Sequence, residues 1–454
     1  MRRILPTAKR VRTAILAVSL IAVWLPNSEA QEYLEAEDVA PESLEETPTS
    51  FEGLSIPDTV GRRRLLSPVL IEKFPPLEPV ARDSVFHFEP RSYYFYRKYG
   101  DGSIAEAWTL GGSLTYESGW WRDILMLGAA AYTSQRLHGP ADRDGTGLLQ
   151  TGQKSYSALG QLYAKAKIGS SAEATLYRQE LDLPYVNRHD IRMTPNTFEG
   201  YTIATEELSN WTFVGGHLTQ MKSRLSSDFS PMSTFTGAEE SNQGVTLGGF
   251  KYRFSEEAGV GVVNYFGWDT LNIFYTEAKF DHACSNDIDT SVRFQFSSQN
   301  DVGKSLAGTR DGQLYGMELS AGWNSLIGSL GLTSRQGDAI TKPWGGDPSF
   351  NSVITSDFDR DHENALRVGI SYDFEEMGLP GLSAFSSFTW GDTPDIGVNA
   401  SPDQTEFDFT VDYRVQEGFF ENCWLRFRVA DNDFSAGGND RLDLRIIANY
   451  SVHF

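Results

Sequence analysis

The chain lacks any apolar run long enough to cross a bilayer as a helix. A spanning helix needs about 20 such residues. The longest candidate, "TAILAVSLIAVWL" at 13–25, is shorter and lies near the N-terminus. Cysteine is nearly absent: Cys284 and Cys423 are the two in 454 residues. Cations are scarce beside anions, with 39 Lys and Arg against 61 Asp and Glu, so the net charge is −22. That balance argues against nucleic acid as a partner, because affinity for phosphate backbones comes from basic charge. It leaves open the sign of charge inside a pore. The histidines are few (7) and scattered, with no HExxH and no GxSxG. The usual signals of a zinc protease or a serine hydrolase are therefore missing. No enzyme activity, cofactor or metal is expected. The stretch "DRDGTG" (142–147) lacks the downstream bidentate Glu of a calcium loop and reads as an Asp-Gly turn.

What is present is basic at the very start, then acidic, then aromatic. Arg2, Arg3, Lys9, Arg10 and Arg12 precede the 13–25 apolar run, and "SEA" follows it. Residues 1–30 thus read as a bacterial secretory signal peptide. The exported chain is more acidic still, since those cations leave with the signal. Residues 31–90 form an acidic, Pro-rich extension expected to lie in the periplasm: "EYLEAEDVAPESLEETPTSFEG" has the composition of a disordered segment. Its role is open between a docked plug, a cell-wall contact and an anchor.

From residue 91 to 454 the pattern changes. Aromatics make up 13% of the chain, with 10 Trp and 42 Gly, and stretches of about ten residues alternate apolar and polar. "DLRIIANYSVHF", the final stretch, shows it: Leu444, Ile446, Ala448, Tyr450, Val452 and Phe454 share one face. The alternation runs to the last residue with no polar tail. Eighteen such stretches are legible, from "SYYFYRKYG" to the C-terminus. Their connectors alternate short ("GWWR", "GSSA", "LSNW", "SEEA", "WNS", "EGFFEN") and long (134–155, 182–199, 223–244, 336–362, 432–440).

In lipid only helices and closed barrels satisfy every backbone group, so the prediction is an all-β fold. It is a transmembrane antiparallel β-barrel of 18 strands, with short periplasmic turns and long external loops. Trp120, Trp121 and Trp211 fall at short turns, where an aromatic girdle belongs. A soluble β-sandwich or propeller is the competing architecture. Cys284 and Cys423 both fall at the periplasmic end but well apart around the barrel. A disulfide needs Cα atoms within about 7 Å, so none is expected.

Several stretches resemble a known family. "VDYRVQEGFFENCWLRFRVADND…RLDLRIIANYSVHF" is similar to the last three strands of the outer-membrane porin D (OprD) family. "GTGLLQ" (145–150) resembles the end of its second external loop, and "RMTPNTFEGYTIATEEL" (192–208) the stretch leaving its third. The resemblance runs from about Tyr93 to Phe454. It implies a monomeric channel of the Gram-negative outer membrane, in contact with lipid and passing small, often carboxylate-bearing solutes without energy input. Phe454 resembles the signal read by the barrel-assembly machinery. The acidic extension and the small number of arginines depart from the family pattern.

Candidate solute-binding residues come from two places. On the last three strands alternation turns Asp408, Asp412, Arg414, Arg426, Arg428, Arg441 and Arg445 inward. Arg441 should be nearest the outer rim, Arg445 below it, Arg428 and Arg426 lower, and Arg414 at the periplasmic end. This column resembles the family's "basic ladder", and guanidinium binds carboxylates bidentately. The alternative is that Asp412 and Asp443 neutralise the arginines in the wall. The second place is the third loop, "LDLPYVNRHDIRMTPN". Folded inward, it would set Tyr185, Arg188, His189, Asp190 and Arg192 at a constriction. Otherwise it is a surface loop with a local ion pair. Asp357, Asp359 and Asp361 are expected on a solvated face. The functions that follow are a substrate-selective porin or a general, weakly selective one.

Overall fold

The computed structural model describes residues 78–285, 288–421 and 423–453. The residues read as a signal peptide, most of the acidic extension and Phe454 lie outside these residues. A short helix, α1 (Glu78–Arg82), leads in. Its Val80 carbonyl accepts from Gly119 N at 2.9 Å, which ties it to the first short turn.

Eighteen strands close into one antiparallel barrel. They are β1 Val85–Tyr99, β2 Ile104–Glu117, β3 Leu125–His138, β4 Tyr156–Ile168, β5 Ala172–Gln179 and β6 Thr197–Thr205. Next come β7 Trp211–Lys222, β8 Val245–Arg253, β9 Ala258–Gly267, β10 Leu271–Ser285, β11 Ile288–Asp301 and β12 Asp311–Trp323. The last six are β13 Leu326–Gly337, β14 Asn364–Asp373, β15 Leu382–Asp392, β16 Gln404–Arg414, β17 Trp424–Phe434 and β18 Arg441–Asn449. Each pairs with its sequence neighbour. β18 pairs with β1 from Arg91↔Asn449 to Tyr99↔Arg441, so no edge remains. Phe229–Pro231 adds briefly to β7.

Two boundaries differ from the sequence reading. The barrel begins at Val85, not residue 91, because Val85–Pro90 pairs with β2. The closing strand is also interrupted. β18 stops at Asn449, opposite Arg91, and pairing resumes only at Phe88↔Val452 and His87↔His453. The break sits at Pro90, which has no N–H for the ladder. Tyr450 N still reaches the Pro90 carbonyl at 3.1 Å.

The barrel is inside out relative to a soluble protein. In β16 Gln404, Glu406, Asp408, Thr410 and Asp412 are buried, while Phe407, Phe409 and Val411 face outward. Leu110, Leu127, Phe294, Val368, Phe388, Phe427 and Ile446 are among the exposed apolar side chains. A lipid-facing Arg or Lys costs about 2–4 kcal/mol at the bilayer midplane, so the charges turn into the lumen. Trp121, Trp211 and Trp323 are exposed at the short-turn end, and Trp108, Trp268 and Trp390 toward the other. These are the two girdles. The indoles of Trp108 and Trp268 donate to Ser92 Oγ (3.0 Å) and Thr246 Oγ1 (2.9 Å). Cys284 and Cys423 are both free thiols.

Candidate functional site

Register fixes the rows of side chains on the lumen wall. Across β16, β17, β18 and β1 the inward rows run Asp412–Arg426–Ile447–Tyr93, then Thr410–Arg428–Arg445–Phe95, then Asp408–Ala430–Asp443–Arg97. Nearest the outer rim comes Glu406–Asn432–Arg441–Tyr99. Arg445 stands directly opposite Arg428 in one register row. Alternation gives a residue's face, but only pairing gives its level relative to the next strand.

The wall arginines are engaged. Arg426 grips Asp412 bidentately, Nε to Oδ1 at 2.7 Å and Nη2 to Oδ2 at 2.8 Å. Arg445 Nη2 donates to Asp443 Oδ2 and to the Ile354 carbonyl, each at 2.8 Å. Asp443 also takes both ends of the Arg97 fork, at 2.6 and 2.7 Å. Arg441 Nη1 reaches the Thr355 carbonyl at 3.4 Å. Arg428 is buried in the same wall. Arg414 is exposed at the periplasmic end, opposite Trp424 and apart from the others.

Ile354 and Thr355 belong to the 338–363 loop, which lies inside the barrel against this wall. Thr355 N and Oγ1 both donate to Glu406, each at 2.6 Å. The loop is also held by Gln299, which donates to the Thr341 carbonyl and accepts from Thr341 N. Trp344, fully buried, donates Nε1 to the Met232 carbonyl at 3.0 Å. Asp357 and Asp359 do not form a solvated acidic face. With Asp347 they surround the Lys342 ammonium, which lies 2.8 Å from Asp357 and 3.8 Å from Asp347 and also contacts Asp359. Burial works against that ammonium, yet Asp357 and Asp359 hold its pKa above the ordinary lysine value. Asp361 bonds His362 at 2.8 Å instead.

The third loop also folds in. A two-residue hairpin, Asp182–Leu183 with Val186–Asn187, turns on Tyr185, whose φ is +64°. Lys222, fully buried at the end of β7, pins the loop by donating to the Pro195 carbonyl at 2.7 Å. Arg91 on β1 holds Asp190 bidentately at 2.6 and 2.8 Å and reaches the Arg192 carbonyl. Asn187 Oδ1 accepts from Gly346 N at 2.9 Å, joining this loop to 338–363. The approach is so close that a Cβ on Gly345 would lie 2.8 Å from the Asn187 side chain.

The expected loop residues separate. Tyr185 is fully buried in the apolar cluster with Leu183, Val186, Tyr275 and Trp344, so it shapes the loop rather than lining the lumen. Asp190 is committed to Arg91. Arg188 is half exposed, 3.6 Å from Asp182, and Glu180 beside it is raised by burial above the usual carboxylate range. Arg192 lies over the Phe95 ring at 5.2 Å, with Arg445 at 4.7 Å and Arg97 at 5.3 Å from the same centroid. Burial, and then the Arg445 charge, pull the Arg192 guanidinium down to about 9; it remains cationic at neutral pH. His189 accepts at Nδ1 from Arg224 Nη1 at 2.7 Å. Burial, then the Arg224 charge, push His189 to about 3, so the imidazole is neutral with its proton on Nε2.

Sequence reasoning missed Arg91, Arg97, Lys222, Arg224 and Lys342. Arg97 shares its parity with Tyr93 and Phe95, aromatics that face inward against the usual pattern. That aromatic face hid the signal. Arg224 and Lys342 sit in loops, where no periodicity exists to read.

Comparisons with known proteins agree with the barrel fold. The description "outer membrane porin, OprD family" matches residues 80–454. The porin-like protein GalP of Pseudomonas putida is 24% identical over 392 residues, covering 80% of this chain and 90% of that one. The crystal structure of Pseudomonas aeruginosa OpdK with vanillate superposes with a TM-score of 0.74 at 23% identity, covering 82% of this chain and 99% of that chain. A BenF-like porin from Pseudomonas fluorescens Pf-5 gives 0.74 at 21% identity, with the same coverage of 82% and 99%.

Proposed function

The chain belongs to the OprD family of outer-membrane porins, and on that premise we propose that it passes small carboxylate-bearing solutes, amino acids and organic acids among them, along its arginine-lined wall. It is an outer-membrane channel for passive diffusion. The observation that carries the finer reading is the inward row Arg428–Arg445, with Arg426 one row toward the periplasm. Guanidinium keeps its charge and matches a carboxylate with two parallel hydrogen bonds. Successive sites of that kind let an anion move between positions, each weak enough to leave. Vanillate, named with the OpdK structure, carries the same group.

The test is the reversal potential in planar bilayers under a salt gradient. Wild type is compared with the Arg426→Ala/Arg428→Ala double variant. A shift of the variant toward cations supports the reading. Unchanged selectivity in a conducting variant overturns it. The second reading, a weakly selective porin, is favoured by one observation: Asp412 and Asp443 already hold Arg426, Arg445 and Arg97.

A further inference from the structure

The short turn between β16 and β17 carries two phenylalanines where none would be expected. Glu421 N donates to the Gly418 carbonyl at 3.1 Å, which closes a tight turn with Phe419 and Phe420 at its corners. Turn corners are dominated by Gly, Pro, Asn, Asp and Ser, so this pair needs another reason to be there. Phe419 is 84% exposed and Phe420 59%, against 51% for Phe294 on the lipid-facing wall. The turn is also held to the outer face of that wall. Tyr450 OH donates to the Phe419 carbonyl at 3.1 Å, and the Tyr450 ring meets the Phe420 ring edge-on at 6.4 Å. Tyr450 shares the parity of Leu442 and Ile446, both exposed on the outward face. The outward rows above the turn run Phe427–Ile446 and then Leu425–Ala448, with Tyr413 opposite Leu425. Across the closing seam Phe88 and Leu114 pair on β1 and β2, again exposed. Phe419 and Phe420 thus continue the lipid-facing surface one step toward the periplasm.

We propose that the Gly418–Glu421 turn is a membrane clasp, whose Phe419 and Phe420 rings insert into the periplasmic leaflet and bind phospholipid where glycerol meets the acyl chains. The inference concerns the outside of the barrel and stands whatever solute the channel passes. Lipid is the occupant for three reasons. The surface directly above the turn already faces lipid, so the two are continuous. Phenylalanine has no polar group to keep at the headgroup level, unlike the Trp and Tyr of a girdle, and its ring gains by leaving water. The polar neighbours also divide as a dipping tip requires: Glu417 and Glu421 are exposed on either side of the pair and keep their charges in water. The position has a structural consequence. β18 stops at Asn449, and pairing with β1 resumes at Phe88↔Val452. Tyr450 lies in that gap, its N on the Pro90 carbonyl and its hydroxyl on the turn. A turn anchored in lipid therefore fixes Tyr450 at the point where the closing ladder is interrupted.

The experiment is a spin-label depth measurement on the full-length protein in phosphatidylethanolamine–phosphatidylglycerol vesicles. Phe419→Cys, Phe420→Cys, Glu417→Cys and Phe427→Cys are made one at a time in a Cys284→Ser/Cys423→Ser background and labelled. Accessibility to oxygen, which concentrates in lipid, is compared with accessibility to a water-soluble nickel chelate. Position 427 gives the lipid-facing value and position 417 the aqueous one. Labels at 419 and 420 should show an oxygen-to-nickel ratio about tenfold or more above that at 417. A ratio within about twofold of the 417 value would place the turn in water and overturn the clasp. Dipolar broadening at 419 that disappears on dilution with unlabelled protein would make a second copy the occupant, which overturns it too. Tyr450→Phe keeps the ring and removes the hydroxyl. It should lower the ratio at 419 severalfold and leave that at 427 unchanged. An unchanged ratio at 419 would remove Tyr450 from the clasp.

Discussion

Arg445 and Ile354 are joined inside the barrel: a wall guanidinium donates to the backbone carbonyl of an inserted loop at 2.8 Å. The residues are 91 apart in sequence. The arginine is thus a fastener for the 338–363 loop as well as a charge on the wall. A hydrogen bond to a charged group contributes about 1.5–3 kcal/mol, enough to shift loop docking about tenfold or more. Arg445→Ala should raise single-channel conductance and add open-state flicker. A conductance and noise level equal to wild type would show that the loop is held without it.

Asp412 is the natural lever on the wall's charge. Asp412→Asn removes the carboxylate that Arg426 holds bidentately and leaves the positive charge in place, in a protein of nearly unchanged shape. Reversal potentials should move toward anions. A wild-type value would mean that Arg426 does not face the conduction path.

Lys342 gives a pH dependence with a definite sign. Burial would raise the Asp357 carboxyl, but the Lys342 ammonium holds it below the ordinary value. A group depressed in the folded state stabilises it above the unfolded pKa, about 3.9. That stabilisation is lost as pH falls through the folded value. Loop-borne current noise should therefore rise only on strong acidification, below about pH 4. In Lys342→Met the Asp357 carboxylate loses its cation and its pKa climbs, while Asp347 keeps Arg335 at 3.0 Å. Noise should then fall, not rise, on going from pH 7 to pH 5. The same trend in both proteins would refute the cage.

Lys222 is a buried cation whose described hydrogen bonds go to Pro195 O, Ser223 O and Thr194 Oγ1. Replacing it by Leu leaves the Pro195 carbonyl without this donor and loosens the 180–196 loop. Limited proteolysis should cut that loop in Lys222→Leu at least several times faster than in wild type, with the barrel strands intact. Equal cleavage rates would place the anchor elsewhere.

The barrel was legible because its rule is local. Alternation with period two is written residue by residue, so the face of Arg426, Arg428, Arg441 and Arg445 follows from counting along one strand. Strand number and sidedness follow from the same counting and from the short and long connectors. Levels across strands were not legible: Arg428 beside Arg445, and Asp412 beside Arg426, are set by hydrogen-bond register between segments. Nor could counting predict the break at Tyr450, which depends on a proline in β1, at the other end of the chain.

The lumen itself belonged to tertiary structure alone. Loops carry no period, and their conformation is decided by contacts between distant segments. Asn187 meets Gly346, 159 residues away, and Trp344 meets Met232, 112 away. Those contacts bury Tyr185, commit Asp190 to Arg91, enclose Lys342 in carboxylates and bring Arg224 to His189. The sequence by itself determined that alternating strands form and which side chains share a face, because side-chain alternation is local, and the short and long connectors with tryptophans at the turns favoured a barrel over a soluble sandwich. Which of those inward charges remain available to a solute was decided only when the loops folded back between the walls.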